Sequence, residues 1–128
     1  MARILVIDDH EDICASMQDA LQMAGYTVAI AADGNSGLVL QRRAPADVVI
    51  TDIFMPDKDG METIHQLRRE FPGVKIIAMS GGGSVAKQVD YLAMTREFGA
   101  DTILNKPFDG KTLLKAVREL LDAPASKP

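Results

Sequence analysis

The stretch Val48–Gly60 reads V-V-I-T-D-I-F-M-P-D-K-D-G, and the fold turns on how it is read. Four apolar or β-branched residues run without alternation into Asp52, and a Pro/Asp/Lys/Asp/Gly loop follows. A run too short for a helix, unbroken by polar positions and closed by turn residues, is a strand buried on both faces. A carboxylate at the carboxyl end of such a strand stands where open α/β sheets place their chemistry.

The flanking chain supplies the rest of a sheet of that kind. On the amino-terminal side, Ile4–Ile7 is a short apolar run closed by Asp8-Asp9. Ile13, Met17, Ala20, Leu21 and Ala24 then fall at helical spacing from Glu11 onward, with Gly25 as the stop. Thr27–Ala31 is a second strand, and Asp33 is the N-cap of a helix that runs to about Arg43 and ends before Ala44-Pro45. Beyond Asp52 the rhythm repeats. Gly60 or Met61 opens a helix with Met61, Ile64, Leu67 and Phe71 on one face, terminated by Pro72-Gly73. Lys75–Met79 is the fourth strand, followed by Ser80 and three glycines. Val85, Val89 and Leu92 mark a helix ending near Phe98-Gly99, and Thr102–Asn105 is a fifth strand cut short by Lys106-Pro107. Asp109 caps a last helix that turns Leu113, Leu114, Val117, Leu120 and Leu121 inward. Strands alternating with helices, each strand continuously apolar, imply a parallel sheet covered on both faces with right-handed crossovers. Residues 1–121 are expected to make one domain, and 122–128, of linker composition, a short tail with no output domain expected.

Composition narrows the function. With 47% apolar and 25% charged residues in 128, the chain matches a soluble globular domain. No apolar stretch approaches the ~20 residues of a membrane span, and no signal peptide is expected ahead of the first strand. The net charge of -4 provides no basic surface for a phosphate backbone, which argues against direct nucleic-acid binding. A single cysteine, Cys14, excludes an internal disulfide and fits a reducing cytoplasm, where it reads as a small apolar filler on the first helix. His10 and His65 lack metal-ligand spacing and read as surface positions, and the seven methionines read as core. The triple glycine lacks the Lys-Ser/Thr that would make it a phosphate-binding P-loop, so it reads as a turn.

What remains is a set of polar residues at strand ends: Asp8 and Asp9 after the first, Asp52 after the third, Ser80 after the fourth, Lys106 after the fifth. In a parallel sheet these ends share one edge, so the five side chains should converge. Alone, Asp8-Asp9 would be a helix cap, Asp52 a turn former and Lys106 a solvated charge. Together those readings require a coincidence at one edge. Three clustered carboxylates repel, and their pKa values would rise unless a cation neutralised them. An oxygen-only cluster suits a hard cation, Mg²⁺ in particular, which binds one or two carboxylates together with phosphate. A lysine adds a positive point charge for a carboxylate or phosphoryl oxygen, and the Ser80 hydroxyl a hydrogen bond. These parts suit phosphoryl transfer to an aspartate nucleophile.

Asp8-Asp9 after strand one, D-I-F-M-P-D-K-D-G led by Asp52, Ser80 ending strand four and K-P-F at Lys106 together resemble the receiver domain of two-component response regulators. The resemblance spans essentially the whole chain. It implies a flavodoxin-like (βα)5 three-layer sandwich with a parallel sheet of order 2-1-3-4-5. It further implies that Asp52 accepts a phosphoryl group from a histidine kinase or histidine phosphotransfer protein. Asp9, Asp52 and the Phe54 backbone carbonyl would bind Mg²⁺ directly, with Asp8 acting largely through water. Ser80 would be the switch hydroxyl, Lys106 the partner of the phosphoryl group, and Lys106-Pro107 a cis peptide. The chain would be a signalling switch that promotes its own phosphoryl transfer and hydrolysis, not a metabolic enzyme. It would act on a downstream protein, and a phosphorylation-dependent homodimer is compatible with that. It is expected to be a free-standing receiver. Two other readings compete: a Mg²⁺-dependent phosphatase or phosphotransferase using Asp52 on small substrates, and a flavodoxin-like FMN carrier. Three features depart from the family pattern. Ile103 stands where an aromatic switch residue is usual. The segment Ser80–Lys106 is about one helical turn longer than is usual for the family. Phe54 places a bulky apolar residue beside Asp52, where it would restrict the attacking water and slow loss of the phosphoryl group.

Overall fold

The computed structural model describes residues 2–53, 60–80, 99–106 and 108–122. Five strands, β1 (Arg3–Ile7), β2 (Thr27–Ala31), β3 (Val48–Asp52), β4 (Lys75–Ser80) and β5 (Thr102–Asn105), form one parallel sheet of order β2-β1-β3-β4-β5. Helices α1 (Glu11–Met23), α2 (Gly34–Arg43), α3 (Gly60–Glu70) and α4 (Gly110–Asp122) cover it. The expected flavodoxin-like topology is therefore what the chain adopts. The helix expected around Val85–Leu92, the triple glycine, Phe54 and the Lys106-Pro107 peptide lie outside the described residues.

Strand periodicity assigns each side chain to a layer. Leu5, Ile7, Val49, Ile53, Ile76 and Ala78 pack with Leu38 of α2 and with Ile64 and Leu67 of α3. Their neighbours Ile4, Val6, Val48, Ile50, Ile77 and Met79 face the other way, onto Cys14, Met17 and Leu21 of α1 and Leu113, Val117 and Leu120 of α4. Two dry layers explain why the inner strands β1, β3 and β4 have no polar alternation. One apolar expectation fails: Met23 is 89% exposed, because at the last position of α1 it has turned past the stripe that meets the sheet.

The punctuation of the helices matches its chemistry. Asp33 accepts the Ser36 amide at 2.7 Å, and Asp109 accepts the Thr112 amide at 2.8 Å, so both cap as expected. Gly25 ends α1 at φ 98°, a left-handed conformation that a Cβ would disfavour. Gly37 has a different task. A Cβ there would lie 2.8 Å from Ile7 Cγ1 and closer still to Ile7 Cδ1, so its hydrogen lets α2 sit directly on the end of β1. The edge of β4 and β5 remote from the strand ends is fastened by Arg68. Its guanidinium donates to the carbonyls of Pro72, Val74 and Gly99 and to Asp101 Oδ2, at 2.7–2.8 Å, and Asp101 accepts the Ile76 amide at 2.8 Å.

Candidate functional site

Parallel register carries the ends of β1, β3, β4 and β5 to one edge. Ile7 pairs with Thr51, Asp52 with Met79, and Ser80 with Asn105, so the residue after each strand end emerges beside its neighbours. The Lys106 amide donates to the Ser80 carbonyl at 2.7 Å, which extends the β4–β5 ladder one step and delivers the lysine to this edge. All five residues expected to converge are found there.

The Lys106 side chain reaches across two strands. Its Nζ lies 2.9 Å from Asp8 Oδ2 and 2.8 Å from Asp52 Oδ2, tying the ends of β1 and β3 to β5. Asp8 and Asp52 have almost no exposed side-chain surface, and the Lys106 side chain is only 18% exposed. Burial by itself would push the lysine toward neutrality, but the two carboxylates outweigh it and its pKa is raised. Asp8 shows the converse balance. Burial pushes its carboxyl up, while the His10 amide, Lys106 and the His10 ring all favour the anion, and the net shift is downward. The rise expected of clustered carboxylates is reversed at Asp8, because the His10 amide and the Lys106 ammonium are already in contact with it.

His10 is the site neighbour that pattern reading assigned only to the surface. Its ring is exposed, yet Nδ1 stands 2.9 Å from Asp8 Oδ1 and 3.2 Å from Asp9 Oδ1. Its pKa is raised, first by the hydrogen bond to Asp8. The backbone explains the placement: the His10 amide donates to Asp8 Oδ1 at 2.8 Å, folding the chain back just before α1. His10 is itself the N-cap of α1 and makes no side-chain cap bond, so Asp8 and Asp9 are not spent on capping that helix. The signal in the sequence was adjacency to Asp8-Asp9, which has no periodicity to reveal it. Cys14 is buried, as expected of a filler, and donates from Sγ to the Asp8 carbonyl at 3.3 Å. Burial pushes its thiol up to about 11.

The donor set fits a hard divalent cation. One ligand atom each from Asp8, Asp9, His10 and Asp52 can be chosen so that all lie within 4.8 Å of one another. Three carboxylates against one ammonium leave the pocket at -2, the charge such an ion would cancel. Ser80 adds an independent sign: its hydroxyl is wholly buried at the same edge and has no hydrogen-bond partner among the described residues. A buried unpaired hydroxyl costs about 1–3 kcal/mol, which a bound oxygen or water would relieve. Ile103, expected from the resemblance to stand at the aromatic switch position, is half-buried in β5 and packs against the layer beneath α2 and α3. Among the described residues, no helix is long and apolar enough to cross a membrane.

Comparison with known proteins agrees with this geometry. Residues 4–118 match the response regulator receiver domain. The response regulator MprA of Mycolicibacterium vanbaalenii is 37% identical over 119 residues, which cover 93% of this chain and 50% of that protein. Among solved structures, the chemotaxis protein CheY4 of Vibrio cholerae superimposes with a TM-score of 0.84 at 33% identity, covering 94% of this chain and 98% of that one. A CheY-like receiver domain of Methanospirillum hungatei gives a TM-score of 0.86 at 32% identity, covering 95% and 94%. The chain spans about half the length of the curated relatives it matches. Fold, strand-end constellation and both kinds of comparison lead to one statement: the chain belongs to the receiver-domain family of two-component response regulators.

Proposed function

We propose that Asp52 is the phosphoryl acceptor of this receiver, and that a histidine kinase or histidine phosphotransfer protein is the donor. The observation that carries this is the pairing of a buried Asp52 with Lys106 Nζ at 2.8 Å, at the end of an inner strand. In the transfer, an Asp52 carboxylate oxygen forms a bond to phosphorus as the phosphorus–nitrogen bond of phosphohistidine breaks, and the departing imidazole keeps the nitrogen electron pair. Lys106 is already in contact with the nucleophile and would follow the incoming negative charge, releasing its second contact to Asp8. The Ser80 hydroxyl, unpartnered among the described residues, would donate to a phosphoryl oxygen. Mg²⁺, held by Asp9 and Asp52 with Asp8 behind and the Phe54 carbonyl as a further ligand, would supply charge neutralisation for the transferring group.

Breaking the Lys106–Asp8 contact on phosphorylation would alter the β1 and β5 ends together, which supports a switch read by a downstream protein. Hydrolysis of the acyl phosphate at the same site, slowed by Phe54, would reset it. The acidic pI of about 5.0 and lone buried cysteine support action in the cytoplasm without direct nucleic-acid contact by this domain. Nothing in the site favours the small-substrate phosphatase or the FMN carrier over this reading.

The test is incubation with acetyl phosphate and Mg²⁺, followed by intact mass. A single phosphoryl adduct is expected, lost in Asp52→Asn and on chelation of the metal. An adduct that persists in Asp52→Asn would assign the acceptor elsewhere.

A further inference from the structure

The acidic pocket has a nitrogen donor on its rim. His10 Nδ1 stands 2.9 Å from Asp8 Oδ1 and 3.2 Å from Asp9 Oδ1. The first of these contacts is a hydrogen bond, and an octahedral ion with bonds of ~2.1 Å, whose neighbouring ligands stand about 3.0 Å apart, would fit the same donors in place of the shared proton. The ring is held there by the His10 amide, which donates to Asp8 Oδ1 at 2.8 Å, and by its own contact with the same oxygen. Two further features of the pocket bear on an added cation. Lys106 Nζ already bridges Asp8 and Asp52, and the Ser80 hydroxyl at the same edge is buried and unpartnered among the described residues.

Imidazole is a borderline donor that suits Ni²⁺, Co²⁺ and Zn²⁺, whereas Mg²⁺ gains little from exchanging water oxygen for nitrogen. We propose that His10 is a ligand of the divalent cation in this pocket and sets its metal preference, raising affinity for Ni²⁺ and Co²⁺ above what the three carboxylates alone confer. This rests on reading Asp8, Asp9 and Asp52 as a cation site. Because His10 caps α1 without using its side chain, replacing the ring leaves the helix start intact.

The experiment is calorimetric titration of the tag-free chain with NiCl₂ and with MgCl₂, in wild type, His10→Phe and Asp9→Asn. His10→Phe should weaken Ni²⁺ binding by at least about tenfold, the lower end of what loss of even an outer partner costs, while Mg²⁺ binding changes by less than about threefold. Asp9→Asn should weaken both. With Mn²⁺ loaded, pulsed electron paramagnetic resonance should show nitrogen modulation that vanishes in His10→Phe and survives in His65→Asn. Equal Ni²⁺ affinity in wild type and His10→Phe, a parallel loss for both metals, or nitrogen modulation that persists in His10→Phe would overturn the ligand assignment. Mg²⁺ affinity indifferent to Asp9→Asn would instead sink the cation-site reading beneath it.

Discussion

Replacing Gly37 by alanine sets two well-calibrated effects against each other. Gly37 lies within α2, where alanine is the better helix former by about 1 kcal/mol. A surface position would show that gain in full. Here the new Cβ would stand 2.8 Å from Ile7 Cγ1 and nearer to Cδ1, against a carbon–carbon optimum of about 3.5–4.0 Å. Ile7 is fully buried in the layer it shares with residues of α2 and α3, so its withdrawal must displace core neighbours. Overpacking of this kind costs about 1–3 kcal/mol. The net expectation is a destabilisation of about 1 kcal/mol, which for a domain of this length lowers the melting temperature by about 4 °C. Ile7→Val removes the methyl that meets the new Cβ most closely. By itself it costs about 0.5–1.5 kcal/mol, but in the Gly37→Ala background it should cost about 1 kcal/mol less. Urea unfolding of the two single variants and the double variant, followed by circular dichroism at constant slope, reads the coupling directly. A melting temperature raised by Gly37→Ala, or additivity of the two substitutions within about 0.3 kcal/mol, would refute the close-approach account. The position matters for signalling chemistry because Ile7 is the residue immediately before Asp8.

Three other outcomes are expected. Arg68→Lys keeps the charge but cannot reproduce the fork that holds Pro72, Val74, Gly99 and Asp101, so it should cost about 2 kcal/mol in denaturant unfolding despite being a charge-conserving change. Asp33→Ala should cost about 1 kcal/mol through loss of the cap on Ser36, and Asp33→Asn very little, as measured by thermal melts. The Cys14 thiol, raised from 9.0 to about 11, should alkylate about 100-fold more slowly at pH 8 in the folded than in the denatured chain. A raised folded pKa means the unfolded chain releases this proton first, so the Cys14 contribution to stability is intact below pH 9.0 and is lost as pH climbs toward about 11. An alkylation rate equal to that of the denatured chain would show that Cys14 is not held against Asp8.

Most of the fold is local chemistry, and local chemistry is legible. The run Val48–Ile50, the Asp33 and Asp109 caps and the stop at Gly25 each act over a few residues, so their outcome is written in adjacent side chains. The strand-end rule then carried Asp8, Asp9, Asp52, Ser80 and Lys106 to one edge, because parallel register leaves few other places for them. What a sequence does not contain is which of those groups touch. Lys106 could have met Asp52 alone; it bridges Asp8 as well, 98 residues away in the chain, because β1 and β3 are neighbours in the sheet. The ring of His10 meets the acids only through a turn closed by its own amide, and Met23 leaves the core only because α1 rotates past the sheet at its end. Arg68 carried no motif at all, and its clamp joins the nearby Pro72 and Val74 carbonyls to the Gly99 carbonyl and Asp101, which lie 31 and 33 residues away in the chain. Apolar periodicity and turn residues determined the elements and their order, since those depend on neighbours along the chain. That Asp52 is paired with Lys106 was decided only by tertiary packing, because ion pairs depend on distances that folding alone sets.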